Sequence, residues 1–361
     1  MPYSKVQFIA YALNSAPLAD YHYGGLHTDG LQIWDEEKFY LGSRIASRDI
    51  KARIKIMFKA IDTAYKTGQC DMSSSTLKIF MAPEFFFRGI LGAYSMDDAQ
   101  TIIEGLRQKI KSGPYRHWIF VFGTTVAFSR GAGKHTKKEV YNFSVVQKGN
   151  GRIADSRVVM KEFKSGIDFI GDRVRFDNPD WIRPGKTIGL TDSDVKHLAP
   201  VSGPGSGKER QRRSYDGNGI FELDGITFGM EVCLDHLESR LRKSPQNLGE
   251  NMIQIQLIPS AGMEIKDQSI VAMKNGLVFN CDGSYGLPGK TPVNAHSILG
   301  KVKKMHVGTR NATWEEIPVN YVKNVDPVDS FNNYFAGGPG EVHIYPSQRI
   351  PKAVKESLSS R

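Results

Sequence analysis

Short apolar runs separated by polar segments occur along most of the chain and predict a series of β-strands. The predicted strands are Val6–Leu13, Leu77–Phe87, Trp118–Phe128, Tyr141–Gln147, Ile153–Met160, Ile226–Leu234, Ile253–Pro259 and Val278–Asn280.

Between these strands, apolar residues recur three to five positions apart, which is typical of amphipathic helices. Residues 44–66 and 97–111 are predicted to be helical, and shorter helices are predicted at Ser239–Leu248 and Gln268–Gly276. Strands that alternate with helices indicate a layered α/β domain. The turn Lys148-Gly-Asn-Gly favours a hairpin, so the sheets should be mixed rather than fully parallel.

No internal repeat or domain linker is evident. The sequence predicts a single domain over residues 1–345, with an inserted loop around 170–218 and a loosely held C-terminal tail over 346–361. Residues 201–218 are rich in Gly and Ser and have the composition of a surface loop.

Composition adds constraints on the class of protein. No apolar stretch approaches the roughly 20 residues of a membrane span, and the N-terminus lacks a signal-peptide pattern. Cys70, Cys233 and Cys281 are widely spaced, which argues against a disulfide framework and a structural zinc site. A reducing, cytoplasmic setting and no membrane partner are therefore expected.

The net charge of +10 suggests an anionic partner, but its distribution does not favour nucleic acid. The basic cluster at Lys208, Arg210, Arg212 and Arg213 has no interleaved aromatic residues, and it is interpreted as a solvated loop. Salt-dependent binding to DNA or RNA would instead support a nucleic-acid-binding function.

Three strand ends carry residues suited to nucleophilic chemistry. Cys233 ends one apolar run, where an exposed thiol in positive surroundings would have a lowered pKa. Glu84 follows Pro83 beside three phenylalanines, and desolvation there should raise its pKa as a general base requires. Lys161 ends a further strand and could stabilise an oxyanion. Taken singly, each also fits a structural role: a small buried thiol, a turn carboxylate and a solvated lysine.

The order Glu84, Lys161, Cys233 resembles the triad of the nitrilase (carbon-nitrogen hydrolase) superfamily, and other segments are similar to that family in the same order. The segments are Val6-Gln-Phe-Ile-Ala-Tyr-Ala, Ile119-Phe-Val-Phe-Gly-Thr-Thr, Tyr141-Asn-Phe-Ser-Val-Val with Gly149-Asn-Gly-Arg, Pro184-Gly-Lys, Gln256-Leu-Ile-Pro-Ser-Ala-Gly262 and Val271-Ala-Met-Lys-Asn-Gly-Leu-Val-Phe-Asn280. The resemblance covers about residues 5–305.

This resemblance implies a four-layer αββα sandwich with mixed sheets, assembled as a homodimer or larger oligomer, and a reaction without metal or other cofactor. Cys233 would attack a small amide or carbamoyl substrate and form a thioester, with release of ammonia or an amine. Glu84 would move the protons, and Lys161 with the backbone amide of Leu234 would stabilise the oxyanion.

The chain departs from the family pattern in several places. Lys164 competes with Lys161 because the lysine falls further than usual from the Gly-Asn-Gly turn. The second acidic residue of the family has its nearest match in Asp168, and Lys274 stands where a glutamate is common. Leu-Asp-His after Cys233 is closer to the amidase and carbamoylase branches than to true nitrilases.

Two further functions stay open at this stage: a true nitrilase acting on a nitrile, and a catalytically inactive binding or regulatory protein with the same fold. A metal hydrolase is disfavoured because the histidines show no H-x-x-x-H spacing, and His236 is expected to be structural.

Overall fold

The computed structural model describes residues 2–16, 40–90, 92–129, 139–152, 155–163, 168, 219–242, 253–284, 294–306 and 311–352. The predicted insertion at 170–218 and the competing Lys164 lie outside these residues.

The described residues form strands, helices and short 3-10 turns, and each predicted strand and both long predicted helices have a counterpart among them. The strands are β1 (Lys5–Ala12), β2 (Thr76–Ala82), β3 (Tyr94–Ser95), β4 (Trp118–Ser129), β5 (Glu139–Lys148), β6 (Ser156–Met160), β7 (Ile220–Leu223), β8 (Ile226–Met230), β9 (Ile255–Ser260), β10 (Leu277–Asp282), β11 (His296–His306), β12 (Asn311–Ile317), β13 (Tyr321–Asn324), β14 (Glu341–Ile344) and β15 (Gln348–Arg349). The helices are α1 (Ala46–Lys66), α2 (Met96–Ile110) and α3 (Leu234–Leu237), and the 3-10 turns are Asp267–Ser269 and Phe331–Asn333.

The strands form two mixed sheets. The first has the order β13-β14-β1-β2-β4-β5-β6, with β15 also paired to β1 and β3 to β4; the second has the order β12-β11-β10-β9-β8-β7. In the first sheet β1, β2 and β4 are parallel, and two successive antiparallel pairings bring β6 into the same direction as β4. In the second sheet β8, β9 and β10 are parallel. The carboxyl ends of parallel strands therefore gather at one edge of each sheet.

The two sheets pack face to face through one apolar core. Phe8 and Ile79 of the first sheet and Phe228, Leu257 and Phe279 of the second belong to this core, and all are fully buried. The ring centroids of Phe8 and Phe279 are 4.8 Å apart. Burial of aromatic and branched side chains from both inner faces gives the main apolar contribution to the sandwich.

Helices α1 and α2 cover the outer face of the first sheet. The apolar stripe of α1, including Ile50, Met57 and Ile61, is buried against Phe80 and Phe120. Helix α2 begins at Ser95, whose side chain accepts a hydrogen bond from the Asp98 amide at 3.1 Å, as expected of an N-cap. Both helices and the predicted αββα sandwich are confirmed.

Among the described residues, the outer layer over the second sheet has less helix than the sequence predicts. In place of a helix at Gln268–Gly276, the chain makes a single 3-10 turn, then a segment without regular secondary structure, and a turn at Lys274 and Asn275. The buried Gln256 side chain explains the change, because it accepts from Val271 N at 2.8 Å and donates to Ser269 O at 3.1 Å. These bonds engage backbone groups that a helix would need for its own ladder.

The helix predicted at Ser239–Leu248 does not form over its described residues, 239–242, which make a turn. The single helical turn α3 precedes them, directly after Cys233. Ser239 has φ of +54°, a left-handed conformation that ends a helix, and residues 243–248 lie outside the described part. Part of the predicted C-terminal tail is also ordered. Gln348 and Arg349 pair with β1, so the prediction of a loosely held tail is wrong for this segment.

Candidate active site

Glu84 lies just beyond the carboxyl end of β2 and is completely buried. Its backbone N–H donates to Ser260 O of the other sheet at 3.3 Å, and Ser15 Oγ donates to its carbonyl oxygen at 2.5 Å. Phe85 follows in the left-handed conformation, with φ of 63°, and its N–H donates to Thr124 Oγ1 at 2.8 Å. This fixed turn holds the Glu84 carboxylate between the sheets.

Lys161 follows the last residue of β6, and its ammonium group lies between two carboxylates. Nζ donates to Glu84 Oε1 at 3.0 Å and to both oxygens of Asp168 at 2.9 Å. All three side chains are at most 2% exposed. The structure therefore brings Asp168, the acidic match chosen from the sequence, against the same ammonium as Glu84.

Asn142 of β5 completes this cluster and was not assigned a role from the sequence. Its Nδ2 donates to Glu84 Oε1 at 2.7 Å and to Asp168 Oδ1 at 3.0 Å, and its carbonyl accepts from Lys161 N at 2.8 Å. The signal was present in the Tyr141-Asn segment of the hairpin, but nothing in strand periodicity shows that one amide would bridge two carboxylates.

Cys233 sits on a sharp turn between β8 and α3. Its backbone has φ of 50° and ψ of −110°, a region that non-glycine residues avoid. The turn is fixed by Cys233 N donating to Pro259 O at 3.1 Å and by His236 N donating to Cys233 O at 2.8 Å. Its Sγ lies 3.8 Å from Ala261 O. Strain held by surrounding bonds is frequent at functional sites.

The electrostatics of the cluster differ from the sequence-based expectation for the cysteine. Cys233 is 3% exposed, and burial raises the pKa of its thiol well above the ordinary value; the Glu84 carboxylate raises it further, against the opposing effect of Lys161. The prediction of an exposed thiol with a lowered pKa is wrong, because burial and two carboxylates outweigh one ammonium. Burial and the two carboxylates therefore favour the protonated form of the Cys233 thiol.

Glu84 behaves as the sequence predicts. Burial raises the pKa of its carboxyl, the Asp168 charge acts in the same direction, and Lys161 opposes both. For Lys161, burial would lower the pKa, but the carboxylates of Asp168 and Glu84 raise it above its usual range. Glu84 Oε2 has no hydrogen-bond partner among the described residues, so one oxygen of a buried carboxyl is left to take up a proton.

Leu234 is the first residue of α3, directly after Cys233. The N–H groups of a first helical turn have no acceptor within the helix. Leu234 directly follows the thiol-bearing residue in the chain, and its role as an oxyanion donor stays a prediction.

Glu231 and His236 hold the cysteine turn against its own sheet. His236 Nδ1 lies 2.8 Å from Glu231 Oε2, and its Nε2 accepts from Lys266 N at 3.0 Å, which requires that Nδ1 carries the proton. Glu231 also accepts from Leu241 N at 2.7 Å and from Gln256 Nε2 at 3.0 Å. The structural role expected for His236 is confirmed.

A small open cleft lies next to this cluster. Its lining includes Asn14, Ser15, Tyr40, Phe85 and Arg88, whereas Glu84, Lys161 and Cys233 do not line it. Arg88 stacks 3.5 Å over the Phe85 ring and donates to Asp168 O at 3.0 Å. The cleft thus adjoins the catalytic candidates through Ser15 and Arg88.

Within the described part of the chain, no group of three or more His, Cys, Asp or Glu side chains is arranged to hold a metal ion. No helix there is long and apolar enough to cross a membrane.

Comparisons with known proteins give no match to a family model and none to a curated protein. Solved structures do resemble the chain. Saccharomyces cerevisiae Nit3, a member of branch 10 of the nitrilase superfamily, is similar at 14% identity with a TM-score of 0.40, over 96% of this chain and 90% of Nit3. A mutant of the Nesterenkonia AN1 amidase from the nitrilase superfamily is similar at 10% identity with a TM-score of 0.42, over 95% of this chain and 90% of the amidase.

Proposed function

We propose that the chain is a carbon-nitrogen hydrolase of the nitrilase superfamily that cleaves a small amide or carbamoyl compound through a Cys233 thioester. The observation that carries this proposal is the position of the Lys161 ammonium, 3.0 Å from Glu84 Oε1 and 2.9 Å from Asp168, in the buried cluster that includes the strained Cys233 turn. Acyl transfer through a thioester requires a base, a cation and a thiol together in one buried site.

The neutral thiol sets the first step. Cys233 attacks the carbonyl carbon while its proton passes to Glu84, whose raised pKa makes it an adequate acceptor. The carbonyl oxygen becomes negatively charged and is stabilised by the Lys161 ammonium and the Leu234 N–H. The C–N bond then breaks as Glu84 returns the proton to the nitrogen, and ammonia or an amine leaves.

The second half of the cycle uses the same groups. Glu84 removes a proton from a water molecule that attacks the thioester carbon, and the oxyanion again lies against Lys161 and Leu234. The C–S bond breaks, the thiol recovers its proton from Glu84, and the carboxylic acid is released. Asp168 holds the ammonium in place throughout and keeps it charged, since its carboxylate raises the pKa of Lys161.

We favour an amide over a nitrile because Leu234-Asp-His follows the cysteine, a pattern that resembles the amidase and carbamoylase branches. A homodimer or larger oligomer packed across α3 belongs to the same proposal.

The test is ammonia release from a panel of small amides, ω-amides, carbamoyl compounds and nitriles. Cys233→Ala is the inactive reference, and Cys70→Ala, which removes another buried thiol, is the matched control. Release that Cys70→Ala keeps and Cys233→Ala abolishes supports the proposal. Undiminished release by a folded Cys233→Ala protein contradicts it, and silence across the panel favours the inactive binding protein.

A further inference from the structure

The carboxylate of Asp235 joins the segment after Lys161 to the turn that carries Cys233. It is completely buried, and Oδ1 accepts from Phe163 N at 2.7 Å and from Glu162 N at 3.0 Å, while Oδ2 accepts from Glu162 N at 3.0 Å. Asp235 stands two residues after Cys233, and Glu162 and Phe163 directly follow Lys161. One side chain thus connects the second sheet to the strand end that supplies the lysine.

The other anchors of the cysteine turn act within the second sheet. Cys233 N binds Pro259 O of β9, and Glu231 and His236 bind the same strand and the loop that follows it. These bonds fix the shape of the turn, but they do not set its distance from Lys161. The hydrogen bonds of Asp235 cross between the sheets, so they can set the distance between the cysteine turn and Lys161.

A second connection runs parallel to the first. Arg240 Nε donates to Glu162 Oε1 at 2.6 Å, and Arg240 N donates to Asp235 O at 2.9 Å. The Glu162 side chain is 20% exposed, so solvent weakens this ion pair. The buried bonds of Asp235 to two backbone N–H groups are the stronger connection, because an unsatisfied buried N–H carries a desolvation penalty.

Resting on the hydrolase proposed above, we propose that Asp235 is a positioning residue that sets the distance between the Lys161 ammonium and the Cys233 thiol. Without it, the backbone at Glu162 and Phe163 loses its acceptors and moves relative to α3. The electrostatic influence of Lys161 on the thiol then weakens, and so does the support for the oxyanion. The effect of Asp235 therefore operates through Lys161, which makes it separable from a general loss of stability.

Asparagine is the informative conservative replacement. Burial raises the pKa of Asp235 to about 8, against the opposing effects of Arg240 and the two backbone donors. A neutral amide at this site resembles the protonated carboxyl and keeps one oxygen that can accept from Glu162 N and Phe163 N. Asp235→Asn should preserve the connection that Asp235→Ala removes.

The experiment measures the rate at which iodoacetamide alkylates Cys233 as a function of pH, with the modified peptide identified by mass spectrometry. The full-length variants are Asp235→Ala, Asp235→Asn, Lys161→Ala and the Lys161→Ala/Asp235→Ala double variant. Asp71→Ala is the matched control, because Asp71 also accepts a backbone N–H (from Ser73, at 3.0 Å) but precedes β2, at the end opposite Glu84. Thermal unfolding checks that each variant is folded.

Asp235→Ala should slow alkylation at pH 8 roughly tenfold, which corresponds to about one unit in the apparent thiol pKa. Asp235→Asn should recover most of the rate, and Asp71→Ala should leave it unchanged. In the Lys161→Ala background, Asp235→Ala should have no further effect, because the lysine through which it acts is gone.

An additive effect in the double variant, or a wild-type rate in folded Asp235→Ala, would overturn the inference. Should Asp235→Ala fail to fold, Asp235→Glu carries the same test, since it moves the carboxylate by one methylene and should slow alkylation more than Asp235→Asn. Alkylation does not require turnover. If the effects of Asp235→Ala and Lys161→Ala on alkylation are non-additive but the protein releases no ammonia from amides, only the proposed hydrolase activity is contradicted. If the enzyme is active but the two effects are additive, only the role of Asp235 is contradicted.

Discussion

The side-chain nitrogen of Asn142 lies 2.7 Å from Glu84 Oε1. The same nitrogen is 3.0 Å from Asp168 Oδ1, so one amide separates two buried carboxylates that also share the Lys161 ammonium. The positive end of the amide dipole offsets part of the repulsion between these carboxylates. Asn142 therefore assists the Lys161 cation in holding the two carboxylates close together.

Replacement of Asn142 should impair turnover in a manner that depends on charge. Asn142→Ala removes hydrogen bonds to charged groups, each worth roughly 1.5–3 kcal/mol, and should lower kcat by about 10- to 100-fold. Asn142→Asp places a third carboxylate against Glu84 and should be the more damaging change. Steady-state kinetics with the best amide of the panel measure both, and equal losses in the two variants would show that charge is not the cause.

Lys161 rather than Lys164 should be required for activity. Lys161 Nζ contacts Glu84 and Asp168 directly, and its removal leaves two buried carboxylates without a compensating cation. Lys161→Ala should abolish turnover and lower the melting temperature, while Lys164→Ala should retain activity. A reversed result would move the oxyanion role to Lys164.

The acid limb of the pH–rate profile should shift when Asp168 is neutralised. Glu84 acts as a base only when deprotonated, so activity rises as the pH passes upward through its pKa, which lies above the ordinary value. The Asp168 charge contributes to that increase. Asp168→Asn removes the charge, and the acid limb should move to lower pH, whereas Asp71→Asn at the far end of β2 should not move it. If the acid limb of the kcat/KM profile of Asp168→Asn stays in place or moves to higher pH, Asp168 does not raise the pKa of the catalytic base.

Strain at Cys233 should be visible in stability. With φ of 50° and ψ of −110°, the residue occupies a region that disfavours every side chain with a Cβ, at a cost of about 1–3 kcal/mol. Cys233→Gly should therefore unfold at a higher temperature than Cys233→Ala, although both are inactive. This order is the reverse of the ordinary one, in which glycine is the less stable of the two through its larger backbone entropy. Equal melting temperatures would argue that the turn relaxes once the thiol is absent.

Several features of the site were predictable because they depend on strand ends. Glu84, Lys161 and Cys233 each follow an apolar run, and the carboxyl ends of β2, β6 and β8 lie at the site as the family resemblance implies. The direction of the Glu84 pKa shift was also predictable, since three adjacent phenylalanines indicate desolvation.

Other features depend on contacts between distant segments, which no local pattern contains. The raised thiol pKa follows from burial beside carboxylates that lie 149 and 65 positions earlier in the sequence, whereas an exposed thiol in positive surroundings was expected. The helix predicted at Gln268–Gly276 does not form, because the Gln256 side chain makes hydrogen bonds with the backbone of that segment. Strands β11–β15 have too few apolar residues in sequence to be recognised, because one face of several of them is open to solvent.

The two halves of the candidate triad come from different sheets. Glu84 and Lys161 extend from the first sheet and Cys233 from the second, and the sheets meet through side chains such as Phe8 and Phe279. If these three residues react together as proposed, the site is complete only when the two sheets pack, because neither sheet alone carries all three groups. Packing in the apolar core between the sheets thereby contributes to the separation between Cys233 and Glu84.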